Sequence, residues 1–503
     1  MKGCFLLQRQ FAHVGHAIAR NLKEHHGVNE FCGYVYLRSS YDFLRTQKDV
    51  EYSSLLLDAD VHELYKQEKR DPDYLAYLEK EYGLPSLWPF IAVDRVMMSG
   101  QLQREYPYDQ PQYSHEDMQR ILQAHARAII AFLEKEKPDF LFVSILGGVG
   151  SYLLYRIAQK MGIRIFVVLM TSLPDRYLLS DRYETFTTVD ARLHTDRAAL
   201  RSSPRWQEAE TYIHRFREKP IPYLERNTPA AQSVTRKKQL KFLNPKNALR
   251  SLITFARSLV AYYTKPGRED YDAINPWNYL RDMFMRKLRN ARGVADLYDD
   301  VNTNEDFAFF PLHYEPETSL LLHAPYYTDQ IALIRQIARS LPVHFKLYVK
   351  EHPLMAEYRP RRYYEALKKI PNVKLLSPAL SSFGITPHAK LIFTITSSVG
   401  WEATLLKKPV ISFGHWFYNS LSFVTHCKEI ERLPFIVKEK LENHRPDDEE
   451  LTALVTAILE DSVLVALPQL WEIESDPQKK KDGLKPLADL LAKKLGESTP
   501  HTP

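Results

Sequence analysis

The chain has 503 residues, of which 45% are hydrophobic and 26% charged, a balance that is ordinary for a soluble globular protein and a length too great for one hydrophobic core. Its three cysteines lie far apart and match no disulfide or zinc framework, which predicts reduced thiols in a cytosolic protein. The apolar run at the N-terminus is too short for a signal peptide, and the apolar stretch 140–158 is interrupted by glycines and an arginine, which excludes a membrane span there.

Residues 1–225 alternate between strand and helix signals, which predicts parallel βαβ units in a first, Rossmann-like lobe. The stretch CFLLQRQFAHVGHAIARNL reads as strand, loop and helix, with Gly15 at the turn. The stretches PDFLFVSILGG and IRIFVVLMTS are predicted strands separated by a helix.

Residues 226–300 change character, because strand signals end and prolines interrupt the chain. The stretches LRSLITFARSLVAYY and YLRDMFMRKLRNARG predict two amphipathic basic helices. The whole chain has a formal net charge of +6, whereas residues 236–292 alone contain 14 Lys/Arg and 4 Asp/Glu. Such helices suit an anionic membrane surface, and the alternative is a solvated, packed helical linker. No nucleic-acid motif is present, so no nucleic-acid partner is predicted.

Residues 301–440 return to strand and helix alternation, which predicts a second doubly wound lobe. Residues 441–503 are predicted to be a helical tail with a disordered end. The fold class predicted is therefore α/β, with two doubly wound Rossmann-type lobes, a cleft between them and a basic helical insert. Ligands of such sheets bind where the parallel strands end at their carboxyl edge.

The segment VKEHP follows a predicted strand of the second lobe. Lys350 and His352 are donors suited to phosphate oxygens at a strand end, and Pro353 is placed to pack on a ribose or base. The alternative is a strand-end loop with a solvated lysine and a structural histidine.

The segment TSSVGWEA lies between a predicted buried strand and a helix. Thr396, Ser397 and Ser398 occupy the loop and N-cap, where free backbone N–H groups and the helix dipole favour an anion. Gly400 permits close backbone approach, and Glu402 is placed to accept hydrogen bonds from ribose hydroxyls. The alternative is an ordinary capped helix.

The segment PLHYEPE follows the first strand of the same lobe. His313 and Glu317 are the candidate catalytic residues here, since a carboxylate in the cleft serves as a base or as a nucleophile at an anomeric carbon. The alternative is a rigid connection built by Pro311 and Pro316.

Several residues of the first lobe are predicted to face the cleft and the acceptor from loops that follow strands. For each lone histidine among them, a capped or packed side chain is the competing interpretation. These candidates are His13, Gly15, His16, Gly147, Gly148, Asp175 and Arg176.

The stretch LDAD places Asp58 and Asp60 in the spacing of a metal-binding DxD motif. Nothing around it suggests the fold that uses that motif, and short acidic pairs are frequent by chance. No metal site is predicted.

The stretches PLHYEPE, LYVKEHP, ITSSVGWEA and KKPVISFG resemble bacterial capsule and surface-polysaccharide biosynthesis proteins, a family that includes Kdo-transferase-like glycosyltransferases. The resemblance is specific over about residues 305–415 and implies the GT-B fold and a metal-independent glycosyltransferase. It also implies a donor nucleotide that is often a cytidine monophosphate sugar.

Carried over by position, the resemblance gives His352 and Pro353 contacts to phosphate and cytidine, Ser397 and Ser398 contacts to phosphate, and Glu402 a place beside the ribose. The sequence departs from sialyltransferase relatives, because its acidic pairs Asp299–Asp300 and Glu305–Asp306 lack the glycine that follows in their catalytic motif. PLHYEPE resembles a Gln-Pro-Glu pattern with Glu315 in place of the glutamine, which makes Glu317 the preferred catalytic carboxylate.

The function predicted is transfer of a sugar from a nucleotide donor, preferably CMP-activated and Kdo-like, onto a surface polysaccharide or glycolipid acceptor, without a cofactor. The location predicted is the cytoplasm, with peripheral attachment to the inner face of the cell membrane through residues 236–292. The alternatives are a CDP-polyol phosphotransferase, a nucleotide-sugar epimerase, and a non-catalytic capsule-assembly protein.

Overall fold

The computed structural model of the protein describes residues 1–9, 11–82, 85–100, 105–106, 108–220, 236–264, 268, 270–273, 275–356 and 358–497. Within these residues the strands form two sheets, one in each half of the chain. The described N-terminal sheet consists, in sheet order, of β13 (Ser462–Leu464), β6 (Arg176–Ser180), β5 (Arg164–Met170), β4 (Phe140–Val143), β1 (Lys2–Leu7), β2 (Glu30–Val35) and β3 (Tyr52–Leu57). The described C-terminal sheet consists of β12 (Val424–His426), β11 (Val410–Ser412), β10 (Leu391–Thr394), β7 (Phe307–Pro311), β8 (Lys346–Lys350) and β9 (Val373–Leu376).

Helices connect and cover these strands. In the N-terminal half they are α1 (Phe11–His26), α2 (Arg38–Thr46), α3 (Asp58–Glu63), α4 (Pro72–Glu81), α5 (Trp88–Ala92), α6 (Arg95–Ser99), α7 (His115–Glu136), α8 (Val149–Lys160), α9 (Thr187–Thr195), α10 (Arg197–Arg201) and α11 (Trp206–Glu218). In the remaining chain they are α12 (Arg236–Gln239), α13 (Pro245–Thr264), α14 (Pro276–Arg292), α15 (Thr318–Leu321), α16 (Gln330–Ser340), α17 (Arg361–Lys368), α18 (Ser398–Leu405), α19 (Leu433–Asn443), α20 (Asp448–Asp461), α21 (Leu467–Glu472) and α22 (Pro477–Gly496).

Both sheets are mainly parallel and covered on both faces. All neighbouring strands of the C-terminal sheet pair in parallel, and only the β5–β6 and β6–β13 pairs of the described N-terminal sheet are antiparallel. Because side chains alternate along a strand, Cys4 and Leu6 of β1 join the core under α7 and α8, while Phe5 and Leu7 join the core under α1 and α22. The predicted α/β class with two doubly wound lobes is confirmed.

The last part of the chain is built into the N-terminal half. Helix α20 packs on α9, α10 and α11, β13 pairs with β6, and α22 packs along α1. Leu487 and Leu491 of α22 are fully buried there. The helical tail predicted over 441–503 contains α20, α21 and α22, and the apolar face of α22 is one wall of the N-terminal core. The predicted disordered end falls largely on residues 498–503, which lie outside the described residues.

The middle segment forms the two predicted helices, α13 and α14. Between them, Tyr271 stacks on the ring of His62, with ring centroids 3.8 Å apart and an interplanar angle of 6°. Arg289 of α14 donates to Glu105 at 3.0 Å. These contacts attach the middle segment to the N-terminal half. Residues 226–235 of the predicted segment lie outside the described residues.

The first βα connection differs from the predicted one. Helix α1 begins at Phe11, so His13, Gly15 and His16 lie in the helix and not in a loop. Gly15 packs on β1, where an added Cβ would lie 2.5 Å from Leu7 Cδ2. Close packing of α1 on the sheet is therefore the reason for this glycine.

Candidate functional site

A cavity of about 1060 Å³ lies between the two halves of the molecule. It forms where strands β7, β8, β9, β10 and β11 end, opposite the carboxyl end of β5, as expected for ligand sites of parallel sheets. The lining residues that the next paragraphs use are Tyr183, Glu184, Phe186, His313, Glu317, His323, Lys350, His352, Pro353, Thr396, Ser397, Ser398, Glu402, Trp416 and Phe417.

The start of α18 forms one wall of the cavity. Ser397 is the N-cap, since its Oγ accepts a hydrogen bond from Val399 N–H at 3.1 Å. Its backbone N–H donates to Thr394 Oγ1 at 2.9 Å, so Ser397 holds the turn between β10 and α18 while its side chain lines the cavity. Ser398 follows as the first helical residue and lines the cavity, and within the described chain its hydroxyl makes no hydrogen bond. Ser398 and the N-terminal end of α18 are therefore open to an anion.

Of two other residues of α18, Glu402 lines the cavity and Gly400 does not. Gly400 does not line it, because the space beside its Cα is filled by Tyr418, whose Oη would lie 2.4 Å from an added Cβ. Packing within the protein, not approach to a ligand, requires this glycine. Glu402 is buried and lines the cavity from the second turn of α18.

Lys350 is the last residue of β8 and is buried at the cavity wall. Burial lowers the pKa of its ammonium group from 10.5 to about 8, although the nearby carboxylates of Glu351 and Glu402 oppose that shift. The ammonium is therefore mostly charged at pH 7 and has been separated from bulk water, a state in which it attracts an anion strongly.

His352 presents a neutral ring to the cavity. Its Nδ1 accepts a hydrogen bond from Leu354 N–H at 3.2 Å, so the hydrogen of the neutral ring belongs on Nε2. Burial, with the positive charges of Arg359 and Lys350, lowers the pKa of His352 to about 3. His352 is thus a hydrogen-bond donor at neutral pH without being a cation. Pro353 follows it, begins a short 3-10 turn and also lines the cavity.

His313 acts as a support within the site. Its Nε2 accepts from Thr396 N–H at 3.0 Å, and burial lowers its pKa to about 3. Gln330 fixes the backbone of His313, accepting from its N–H at 2.8 Å. Because its Nε2 accepts from Thr396, the geometry makes His313 a positioning residue for the Thr396 loop, and the hydrogen of its neutral ring belongs on Nδ1.

Glu317, the carboxylate of the two predicted catalytic residues, faces the cleft. It stands at the N-terminal end of α15, and Ser319 Oγ donates to its Oε2 at 2.7 Å. Solvent reaches the side chain from the cleft, but the surrounding protein desolvates the carboxyl and raises its pKa above the ordinary value. A carboxylate with a raised pKa in a cleft is a candidate for proton transfer.

Arg359, which the sequence did not single out, joins two loops of the site. It is 2% exposed, and its Nη2 donates to the backbone carbonyl of His313 at 2.8 Å and to Glu315 Oε1 at 3.1 Å. Its Nη1 donates to Glu351 Oε1. Burial disfavours its charge, but Glu351 and Glu315 hold the pKa of Arg359 well above its ordinary value. Glu315 is therefore part of a structural ion pair.

The first-lobe candidates His13 and His16 do not line the cavity. The ring of His13 packs against Phe43, with centroids 4.0 Å apart. His16 Nε2 lies 3.1 Å from Asp49 Oδ1. These are the packed side chains that the competing interpretation described.

Asp175 and Arg176 also lie away from the cavity. They belong to the turn and start of the antiparallel strand β6, whereas the sequence placed them at the end of a strand beside the cleft. The carbonyl of Asp175 accepts from Val465 N–H at 2.8 Å, and Arg176 pairs with Glu208 at 3.3 Å. Both residues hold the β6 edge of the sheet.

Gly147 and Gly148 lie in a loop at the cleft, close to where the sequence analysis placed them. They follow β4 and precede α8, and an added Cβ on Gly147 would lie 3.7 Å from Thr318 Oγ1 of the opposite lobe. Gly148 is close to the Asp94 carboxylate, because a Cβ added to this glycine would lie 3.2 Å from Asp94 Oδ2. The glycine loop thus faces the C-terminal lobe beside Glu317.

The cavity also contains residues that sequence reasoning missed. Tyr183, Glu184 and Phe186 follow β6, and they return to the cavity because β6 forms a hairpin with β5. The available signal was the run RYLLSDRYETF, whose apolar and turn residues suit a strand and return. His323 and Trp416 had no recognisable signal, since neither lies in a motif.

Asp58 and Asp60 do not converge. Asp58 is buried beside Tyr34 and His125, and Asp60 pairs with Arg38 at the surface. No group of three or more His, Cys, Asp or Glu side chains with the spacing of a metal site occurs in the described parts of the chain.

Residues 204–432 match the model of the family described as capsule polysaccharide biosynthesis protein. A curated relative, Protein FixF of Sinorhizobium fredii (strain NBRC 101917 / NGR234), is 28% identical over 155 residues, which are 30% of this chain and 37% of that protein. The chain therefore spans little more than a third of that relative's length.

Solved structures give a weaker likeness. The beta Kdo 2,7 transferase KpsC of Thermosulfurimonas dismutans is 14% identical with a TM-score of 0.35, over 72% of this chain and 89% of that one. The UDP-GlcNAc 2-epimerase of Neisseria meningitidis bound to UDP-GlcNAc is 12% identical with a TM-score of 0.27, over 98% and 100% of the two chains. At these TM-scores the likeness bears on neither activity nor substrate.

The Arg359→Met variant should be strongly destabilised, because Glu315 and Glu351 would remain buried without their cation. Breaking a buried ion pair in this way costs about 3–5 kcal/mol of unfolding free energy. The matched control is Arg361→Met, which removes an exposed ion pair with Asp296 and should change stability little. Chemical denaturation followed by tryptophan fluorescence measures both, and equal midpoints for the two variants would contradict the role given to Arg359.

Proposed function

Because residues 204–432 match the model of the capsule polysaccharide biosynthesis family, we propose that the protein is a glycosyltransferase of capsule or surface-polysaccharide synthesis. The observation that carries the proposal is the convergence of Lys350, His352 and Ser398 in one inter-lobe cavity that also contains the Glu317 carboxyl. Phosphate-binding donors and a proton acceptor are the two requirements of sugar transfer from a nucleotide donor.

The phosphate of the departing nucleotide would lie between the ends of β8 and β10. There the Lys350 ammonium supplies positive charge, His352 Nε2–H donates a hydrogen bond, and the start of α18 supplies the Ser398 hydroxyl and a helix dipole. These groups are fixed before the reaction, so they stabilise the charge that develops on the phosphate without reorganising. Glu402, buried beside them, is placed to accept from ribose hydroxyls.

Glu317 would take the proton from the acceptor hydroxyl. In that step the bond between the anomeric carbon and the phosphate oxygen breaks, the acceptor oxygen bonds to the anomeric carbon, and the acceptor proton moves to Glu317. A carboxyl whose pKa is raised by desolvation is better suited to hold that proton than an ordinary one. The direction of this pKa shift supports the assignment.

The charge of the cavity supports a nucleoside monophosphate as the leaving group, such as CMP. Among the described lining residues, Lys350 is the single Lys or Arg, whereas His352 and His313 are neutral at pH 7. One cation with a helix start matches one phosphate better than two. The proposed donor is therefore a CMP-activated sugar of the Kdo type, and the proposed acceptor is a surface glycan or its lipid-linked precursor.

The His352→Ala variant should lose turnover, because it removes a donor that acts on the leaving phosphate. Loss of one such donor costs about 10²- to 10³-fold in kcat. The assay is release of CMP from CMP-Kdo in the presence of a crude capsular glycolipid fraction, with His344→Ala, an exposed histidine on the same lobe, as control. Unchanged turnover in His352→Ala would refute the site, and donor consumption without acceptor would favour an epimerase.

Nucleotide affinity should depend on pH through Lys350. The lysine pKa of about 8 means that its charge is present below pH 8 and is lost as pH rises through that value. Because CMP phosphate is already doubly ionised above pH 7, CMP affinity should fall by up to about tenfold per pH unit between pH 8 and 9.5. Calorimetric titration at several pH values measures this, and Lys350→Met should bind weakly with no such dependence. A pH-independent affinity in the unchanged protein would contradict the role of Lys350.

We further propose that α13 and α14 lie on an anionic membrane surface, close to a lipid-linked acceptor. Helix α13 has no buried residue, and the exposed side chains of Leu249, Leu252, Ile253 and Val260 fall on one face of it at helical spacing. Lys246, Arg250 and Arg257 border that face on one side. Each basic residue near an anionic surface contributes about 1 kcal/mol, and the apolar face adds burial.

Helix α14 exposes apolar side chains of its own, Trp277, Phe284 and Leu288. None of the described helices has the length and apolarity needed to cross a membrane. The proposed contact is therefore an interfacial one that uses apolar side chains and positive charge together.

Binding to vesicles tests this surface. The protein should sediment with vesicles of phosphatidylcholine and phosphatidylglycerol at low salt, and less so at high salt, because exposed charges are screened. The double variant Leu252→Glu/Val260→Glu should remain in the supernatant, whereas Val343→Glu, an exposed apolar residue on the other half, should bind as the unchanged protein does. Equal sedimentation of both variants would rule out α13 as the contact.

A further inference from the structure

One end of the inter-lobe cavity carries polar atoms that the nucleotide site does not use. Glu184 Oε2, His323 Nδ1 and Trp416 Nε1 are buried, and each lacks a hydrogen-bond partner within the described parts of the chain. All three residues line the cavity. Buried polar groups are normally paired, so three unpaired ones on one cavity wall indicate the place of a polar ligand.

Aromatic packing fixes these atoms in position. The ring of Tyr183 packs edge-on against His323 with centroids 5.4 Å apart, and His323 packs edge-on against Trp416 at 5.2 Å. Tyr183 Oη is already used, since it lies 3.1 Å from Tyr152 Oη. The ring contacts hold His323 and Trp416 in place beside Tyr183.

The two sides of the cleft meet at this end. Glu184 comes from the N-terminal half, whereas His323 and Trp416 come from the C-terminal half. Phe186 and Phe417 stack beside them with centroids 4.9 Å apart and an interplanar angle of 9°. The wall is therefore aromatic, with a few polar atoms at fixed points. In a site of this composition, aromatic side chains pack on the face of a sugar ring and the polar atoms bind its hydroxyls.

The charge of this end differs from that of the nucleotide end. Burial lowers the pKa of His323 to about 4, so the ring is neutral at pH 7, and Glu184 brings a carboxylate. A phosphate or a carboxylate placed here would be repelled by Glu184. A hydroxyl, by contrast, donates to the carboxylate and accepts from the indole N–H.

We propose that Glu184, His323 and Trp416 form a subsite for a neutral, hydroxyl-rich sugar ring of the acceptor. This inference rests on the proposed function for the identity of the neighbouring donor. An acidic donor sugar of the Kdo type carries its own carboxylate, which Glu184 disfavours, so the neutral ring is assigned to the acceptor. Glu184 and Trp416 bind its hydroxyls, and the aromatic wall covers its apolar face.

Ligand-observed NMR with saturation transfer tests the subsite. The probes are methyl glycosides of glucose, galactose and N-acetylglucosamine at millimolar concentration, each added with and without CMP. At least one glycoside should bind, and its affinity should fall at least tenfold in Glu184→Gln and in Trp416→Phe. The affinity for CMP should stay within twofold in both variants. Trp277→Phe, an exposed tryptophan of α14, is the matched control, and circular dichroism checks the fold of each variant.

Each result separates this subsite from the proposed function. The subsite would be overturned if the unchanged protein bound no glycoside, or if Glu184→Gln and Trp416→Phe bound glycosides as tightly as the unchanged protein does. In either case, CMP binding would still support the donor site. A tenfold fall of CMP affinity in these variants would also overturn it, because the residues would then belong to the nucleotide site. Glycoside binding without CMP binding would keep the subsite and contradict the proposed donor.

Discussion

The guanidinium of Arg359 holds the donor side of the cleft in one arrangement. It contacts the backbone carbonyl of His313, the carboxylate of Glu315 and the carboxylate of Glu351, and it is almost completely removed from water. The loops after β7 and β8 therefore cannot shift independently without leaving a charge buried and unpaired, which is far more costly than the pair is stabilising. His313 passes this constraint on to the loop after β10, because its Nε2 accepts from Thr396 N–H.

The consequence is a site that is arranged before any ligand arrives. Lys350, His352 and the start of α18 are fixed at the ends of β8 and β10, on either side of β7. Burial leaves a charged lysine beside a neutral histidine donor. The cavity contains a single described lysine, Lys350, with Glu402 beside it, and it also contains Glu184 with the rings of Tyr183, His323 and Trp416. In the proposed account the lysine holds the phosphate, and the aromatic wall holds a neutral sugar.

The sequence predicted what depends on local pattern. Strand and helix alternation located the two sheets, and the motifs around His352 and Ser398 located two strand ends that the structure brings together, because parallel strands end at one edge. Long-range packing was not predictable from such patterns. The sequence pattern placed Gly15 and Gly400 where the backbone would lie close to a ligand. In the structure the side chains of Leu7 and Tyr418 occupy the space beside them, so packing requires a glycine at both positions. Arg359, His323 and Trp416 belong to no motif, and the return of α22 onto α1 depends on a core that joins the first 180 residues to the last 40.

Calorimetric titration with CMP, CDP, UDP and GDP at pH 7 tests the central claim, that the ends of β8 and β10 hold the phosphate of a nucleotide donor. Titration of the Ser398→Ala variant beside the unchanged protein assigns the binding to the start of α18. The account predicts that CMP binds most tightly and that the variant loses affinity about three- to tenfold, as expected for one hydrogen bond. Absence of binding for all four nucleotides, or equal affinity in the variant, would mean that TSSVGWEA is a capped helix and no more.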